Sequence, residues 1–232
     1  MPINLLLLPG LLCDEGLWRE VTTDLGSAVR ARVADLTQDD SIAAMARRAL
    51  AKAPERFALA GLSMGGYVAL EIMRQAPERV SHLALLDTSA QPDDAERRAK
   101  RLAGIESIKL GKFIGVSRGL LASLLSPQHL GTNLAEEVQA MAERVGQEAY
   151  IRQQTAILGR IDSRPSLGAI AVPTLIGVGE SDILTPPALA RELAAGIAGA
   201  ELVEFADAAH LPTMENPEAV GAALRVWLGL GR

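Results

Sequence analysis

The chain has 232 residues, 49% hydrophobic and 22% charged, which suits one sizeable folded core and excludes an intrinsically disordered protein. A formal net charge of −5 argues against a nucleic-acid partner, because holding phosphates takes a basic surface. The single cysteine, Cys13, has no partner for an internal disulfide, so the composition asks for no oxidising compartment.

In chain order, the first apolar run covers residues 3–8 and is stopped by Pro9-Gly10. It has no Lys or Arg before it and is too short to cross a bilayer. It therefore reads as a buried strand of a cytoplasmic protein with no membrane partner. Similar runs at 31–36, 57–60, 82–86, 174–178 and 202–205 predict five more strands. Helix signals fall between them. Ser41 caps a helix over 42–51, and a second runs over 64–76 and stops at Pro77. Thr185 before Pro186 and Asn216 before Pro217 each place a capping side chain ahead of a proline, whose missing N–H costs nothing at the first helical position. The alternation predicts an α/β fold: a mostly parallel sheet of about six strands, helices on both faces, ligands at the carboxyl ends.

From about 89 to 165 the alternation stops. Leu134, Val138, Met141 and Val145, at four- and three-residue spacing, predict helix, and so long a stretch is not a structureless loop. The expectation is a helical cap, inserted in a single domain of residues 1–232 and lying over the sheet's carboxyl edge. Most of its apolar side chains should pack on the core, with a minority facing a substrate.

The densest signal is Gly61-Leu62-Ser63-Met64-Gly65, directly after the run at 57–60 and ahead of the helix at 64–76. A strand, G-x-S-x-G and a helix make a nucleophile elbow, a turn that holds the serine in strained geometry with its hydroxyl above the sheet. Such a hydroxyl needs a base. Of three histidines, His82 opens a strand and so lies at the opposite edge, and His129 sits beside Pro127 in the cap. His210 follows the last strand, on the right edge. The acid that orients it is Asp182, just after the strand at 174–178, with Asp87 at the end of 82–86 a rival. The backbone N–H of Met64 and of Leu11, in the loop after the first strand, are the candidate oxyanion donors. Leu12, Cys13, Trp18 and Leu211 are candidate pocket walls. Trp18 suits a core anchor equally well, and a buried thiol is the commoner state for Cys13. No spacing suggests a metal or a cofactor.

Four motifs in order, Leu8-Pro9-Gly10-Leu11-Leu12, Gly61–Gly65, Gly179–Asp182 with Thr185-Pro186, and His210 with Met214-Glu215-Asn216-Pro217, make the chain resemble an α/β-hydrolase over almost its whole length. The resemblance starts at the family's third strand and is nearest to small capped esterases and enol-lactonase-like members. Many members carry His-Gly where this chain has Pro9-Gly10. The resemblance implies hydrolysis of a small-molecule carboxylic ester through an acyl-enzyme on Ser63, by a monomer or small homo-oligomer. Lactones, thioesters and carbon–carbon bonds beside a ketone are alternatives, as is a ligand-binding or signalling hydrolase with slow turnover, for which Trp18, Tyr67, Phe113 and Tyr150 are the few aromatics available. Arg97, Arg98, Lys100, Arg101, Lys109, Lys112 and Arg118 form a basic run that either holds a substrate carboxylate or makes a solvated helix face.

Overall fold

The computed structural model describes residues 1–111 and 115–231. Its six strands are β1 (Ile3–Leu8), β2 (Val29–Val33), β3 (Phe57–Leu62), β4 (Val80–Leu86), β5 (Thr174–Gly179) and β6 (Glu201–Phe205). The helices are α1 (Arg19–Leu25), α2 (Ile42–Lys52), α3 (Met64–Gln75), α4 (Ala95–Lys109), α5 (Arg118–Leu124), α6 (Asn133–Leu158), α7 (Pro187–Gly196), α8 (Pro212–Glu215) and α9 (Pro217–Trp227). The strands form one sheet in the order β2-β1-β3-β4-β5-β6, with every neighbouring pair parallel. The chain moves outward from β1 to β2, returns past β1 to β3, and then continues the other way. The direction therefore reverses between β1 and β3, where an open parallel sheet leaves a crevice at its carboxyl ends.

The run Leu5-Leu6-Leu7-Leu8 shows why the sheet needs helices on both faces. Side chains alternate along a strand, so Leu5 and Leu7 join a core with α1 and α9, while Leu6 and Leu8 join one with α2, α3 and α7. Burying each of these leucines contributes about 1.5–3 kcal/mol, so β1 anchors the middle of the sheet from both sides.

Two expectations from the sequence are corrected. The second strand lies at Val29–Val33 rather than 31–36, pairing Ile3 with Val29 through to Leu7 with Val33. It is an edge strand with Arg30 and Arg32 exposed, so its signal is apolar–polar alternation and not the apolar run beginning two residues later. Secondly, Thr185 does not cap a helix: α7 starts at Pro187 with Pro186 before it, and the Thr185 hydroxyl turns to Asp182 instead. Ser41 and Asn216 do cap, accepting the N–H of Ala44 and Ala219.

Between β4 and β5 the described residues form helices and short 3₁₀ turns, with no strand. Gly146, at φ 79°, ψ 172°, breaks α6 into two halves. Val138 and Met141 in the first half share a buried cluster with Leu12, Cys13 and Trp18, while Ala156 and Ile157 in the second join the cluster on the other face of the sheet. Among the described residues no helix is long and apolar enough to cross a membrane.

Candidate active site

Ser63 stands between β3 and α3 at φ 55°, ψ −115°, a conformation that costs a non-glycine residue about 1–3 kcal/mol. The end of β4 holds it there. Its N–H donates to the Leu86 carbonyl at 3.0 Å, and its carbonyl accepts from the Thr88 hydroxyl at 2.8 Å and the Gly66 N–H at 2.9 Å. A side chain at Gly65 would strike the Leu8 carbonyl, so only glycine lets α3 start this close to the end of β1. Thr88 has no signal of its own in the sequence, because its partner is a backbone carbonyl 25 residues away.

The structure brings Ser63, His210 and Asp182 together. His210 Nε2 is 2.9 Å from Ser63 Oγ, and His210 Nδ1 is 2.8 Å from Asp182 Oδ2. Asp182 Oδ1 accepts the N–H of Leu184 and Thr185 at 2.8 and 3.1 Å, and Oδ2 accepts the Thr185 hydroxyl at 2.6 Å. Burial pushes the Asp182 carboxyl up, but the His210 charge, its hydrogen bond and the Thr185 bonds outweigh that and bring it down to about 2. An ionised Asp182 accepts from Nδ1–H, which leaves the Nε2 lone pair directed at the serine proton.

The histidine loop is fastened from behind. Glu215 Oε1 accepts the N–H of Ala209 at 2.9 Å and of Leu211 at 3.3 Å, on either side of His210. Its Oε2 accepts the Ser126 N–H at 2.7 Å and the Ser126 hydroxyl. The His210 N–H itself donates to the Leu124 carbonyl at 3.0 Å. The sequence shows Glu215 as part of a motif; its bonds to Ser126, on a distant segment, come only from the fold.

Asp87 directly follows β4 at φ 44° and is fully buried. Its Oδ1 accepts the Gly179 N–H at 2.8 Å, and its Oδ2 has no partner among the described residues. Burial pushes its carboxyl well above the ordinary range, and the Asp182 charge pushes the same way. Asp87, Asp182 and His210 each offer a potential metal-ligand atom within 4.8 Å of the others. A cation there would have to displace the Asp182–His210 hydrogen bond.

The loop after β1 runs beside the serine, since a Cβ on Gly10 would sit 3.5 Å from Ser63 Cβ. Among the described residues neither the Leu11 nor the Met64 N–H is bonded to a protein acceptor, whereas the Leu12 N–H is taken by Gln153 Oε1 at 3.0 Å. Leu12, Cys13, Trp18 and Leu211 lie in one buried cluster. Trp18 has no exposed surface and takes the core-anchor alternative. Burial lifts the Cys13 thiol to about 12, so it stays protonated.

The remaining candidates lie elsewhere. His82 falls within β4, two residues after its start, edge-on to Trp227 at 5.6 Å, and His129 sits in a 3₁₀ turn beside Gln128. In the basic run, Arg97 donates to the Leu184 carbonyl and Arg98 to that of Leu158. Lys100 pairs with Glu96, and Arg101 bonds Asp93 and Gln154. These four cations are committed to protein acceptors, and Arg118 is exposed. Lys112 and Phe113 lie outside the described residues.

A family model described as "Alpha/beta hydrolase family" matches residues 5–223. A pimeloyl-[acyl-carrier protein] methyl ester esterase of Edwardsiella ictaluri is 30% identical over 240 residues, covering 95% of this chain and 91% of that protein. A thermophilic esterase from Thermogutta terrifontis, with malate bound, has a TM-score of 0.90 at 27% identity, covering 99% of this chain and 90% of its own. The enol-lactonase from Burkholderia xenovorans LB400 has a TM-score of 0.86 at 22% identity, over 99% and 92% of the two chains, a likeness of fold alone.

Proposed function

The chain belongs to the alpha/beta hydrolase family, and on that premise we propose that it is a serine hydrolase that cleaves carboxylic esters of small molecules. The observation that carries this is the unbroken line Ser63 Oγ–His210 Nε2, 2.9 Å, and His210 Nδ1–Asp182 Oδ2, 2.8 Å. His210 takes the hydroxyl proton as Ser63 attacks the ester carbonyl, and Asp182 steadies the imidazolium that forms. The carbonyl oxygen gains the electron pair and is met by the free N–H groups of Leu11 and Met64. His210 then hands its proton to the departing alkoxide, leaving an acyl-Ser63. Water, activated by the same imidazole, releases the acid and restores the serine. Support for an ester over an amide comes from the easier departure of an alcohol and from the relatives, one named for a methyl ester and one an esterase.

In this reading residues 89–165 form a cap within one domain. The end of α5 and the residues after it reach the histidine loop through Leu124 and Ser126, and α6 reaches the loop after β1 through Gln153. The lone cysteine, which asks for no oxidising compartment, supports a cytoplasmic setting.

The test is a screen of p-nitrophenyl and methyl esters, lactones and acyl-thioesters of graded length, run with wild type and Ser63→Ala. Wild type is expected to turn over esters repeatedly, and the substitution to remove about 10⁴–10⁶-fold of kcat. Ester hydrolysis that survives Ser63→Ala would discard the serine as nucleophile.

A further inference from the structure

Gln153 has no exposed surface, yet it carries a polar amide into the protein interior. Such a group is stable there only when it is hydrogen-bonded, and both of its ends are used. Oε1 accepts the Leu12 N–H at 3.0 Å, and Nε2 donates to the Leu36 carbonyl at 3.3 Å. The two partners fix the amide's orientation, since only the oxygen can accept and only the nitrogen can donate. Its neighbour Arg152 donates to the Thr37 carbonyl at 2.7 Å, so the second half of α6 is pinned to the loop after β2 as it reaches the loop after β1.

The residue held in this way is unusual. Leu12 sits at φ 60°, where a leucine is strained, and it directly follows Leu11, whose N–H is open. Holding the Leu12 N–H fixes the Leu11–Leu12 peptide plane, and with it the tilt of the loop that carries Leu11 past Ser63. Released, the loop is free to relax toward an unstrained backbone and to turn the Leu11 N–H away. We propose that Gln153 is a positioning residue for transition-state stabilisation: from α6 it holds Leu12 so that the Leu11 N–H stays aimed at the oxyanion on the Ser63 adduct. This rests on the ester-hydrolase reading above. It assigns α6 a part in the chemistry as well as in covering the site.

The experiment compares wild type, Gln153→Leu, Gln153→Glu and Ser63→Ala on one p-nitrophenyl ester. It also measures the affinity of a trifluoromethyl ketone, which accepts Ser63 Oγ at its carbonyl carbon and places an oxyanion where the ester's would form. Gln153→Leu is expected to lower kcat by about tenfold to a hundredfold with KM within about threefold, and to weaken the ketone by the same factor. Gln153→Glu keeps an acceptor for the Leu12 N–H and is expected to retain at least about a third of kcat. A purely structural role would lower the melting temperature and leave both the ketone affinity and kcat of the folded protein unchanged. That result overturns the proposal, as does a loss confined to KM. Should Gln153→Leu fail to fold by circular dichroism, Gln153→Met, an unbranched side chain that also removes the acceptor, decides: kcat and ketone affinity within about threefold of those of Gln153→Glu overturn the proposal, and a larger loss in both upholds it. Activity surviving in Ser63→Ala would instead bring down the parent reading, whatever the Gln153 variants do.

Discussion

Asp182 and Asp87 carry the same side chain, and their surroundings shift its carboxyl in opposite directions, down at Asp182 and up at Asp87. Asp182 is surrounded by donors, two N–H groups, a hydroxyl and an imidazole, and is held ionised. Asp87 is fully buried, and that burial, with the Asp182 charge beside it, pushes its carboxyl up against the one N–H it accepts; its other oxygen has no partner among the described residues. Asp182→Asn, which favours the wrong imidazole tautomer, is expected to cost about 10⁴-fold in kcat. Asp87→Asn keeps an acceptor for Gly179 and should stay within about tenfold, by the same steady-state assay. Equal losses would make Asp87 the functional carboxylate. The raised Asp87 carboxyl also sets a sign for stability. The folded state keeps a proton that the unfolded chain releases above about pH 4, so this contribution is full at acid pH and is lost as pH rises. Asp87→Asn should therefore gain in melting temperature over wild type as pH rises above about 4. A gap that does not change with pH would contradict a protonated Asp87. In the sequence both aspartates follow strand runs on one edge, and Asp182 is preferred to Asp87 on the motif around it alone. What separates them is the turn geometry that sends the Thr185 hydroxyl to Asp182, a residue whose neighbouring proline makes it look like a helix cap.

At the scale of elements, the features legible in the sequence are those fixed by local steric rules. G-x-S-x-G after an apolar run, Ser41 before a helix and Asn216 before Pro217 each satisfy their geometry within a few residues. Thr88, Gln153 and Glu215 were not legible in their roles, because each bonds groups brought near only by folding. The edge strand β2 starts two residues ahead of its expected place because its exposed arginines interrupt any apolar run. Gly179 shows how tightly the elements converge: a side chain there would strike the Ala209 carbonyl, next to His210. Gly179→Ala must push β5 away from the histidine loop, and overpacking of this kind costs about 1–3 kcal/mol. The expected outcome is a lower melting temperature together with a drop in kcat. Wild-type values for both would show that the approach has slack.

Across the whole molecule, one six-stranded parallel sheet sets β3, β5 and β6 so that the segments following them meet at one rim. Asp182 also links the site to global stability. Its carboxyl is depressed to about 2, so its contribution is present above about pH 4 and is lost as pH falls toward about 2. His210→Ala removes the largest of the causes of that depression and leaves the Thr185 bonds in place. Its melting temperature should fall less steeply than that of wild type over this range, and parallel curves would deny the coupling. The partly exposed Asp14–Arg144–Glu137 cluster, by contrast, ties the loop after β1 to α6 through screened ion pairs worth little each.

The central claim, that Ser63 carries the acyl group, is tested most directly by trapping it. Wild type is quenched during turnover of a p-nitrophenyl ester, digested with trypsin and weighed by mass spectrometry. The acyl mass is expected on the peptide of residues 57–74, localised to Ser63. An acyl group found on any other residue, or steady turnover with residues 57–74 unmodified, would contradict the account.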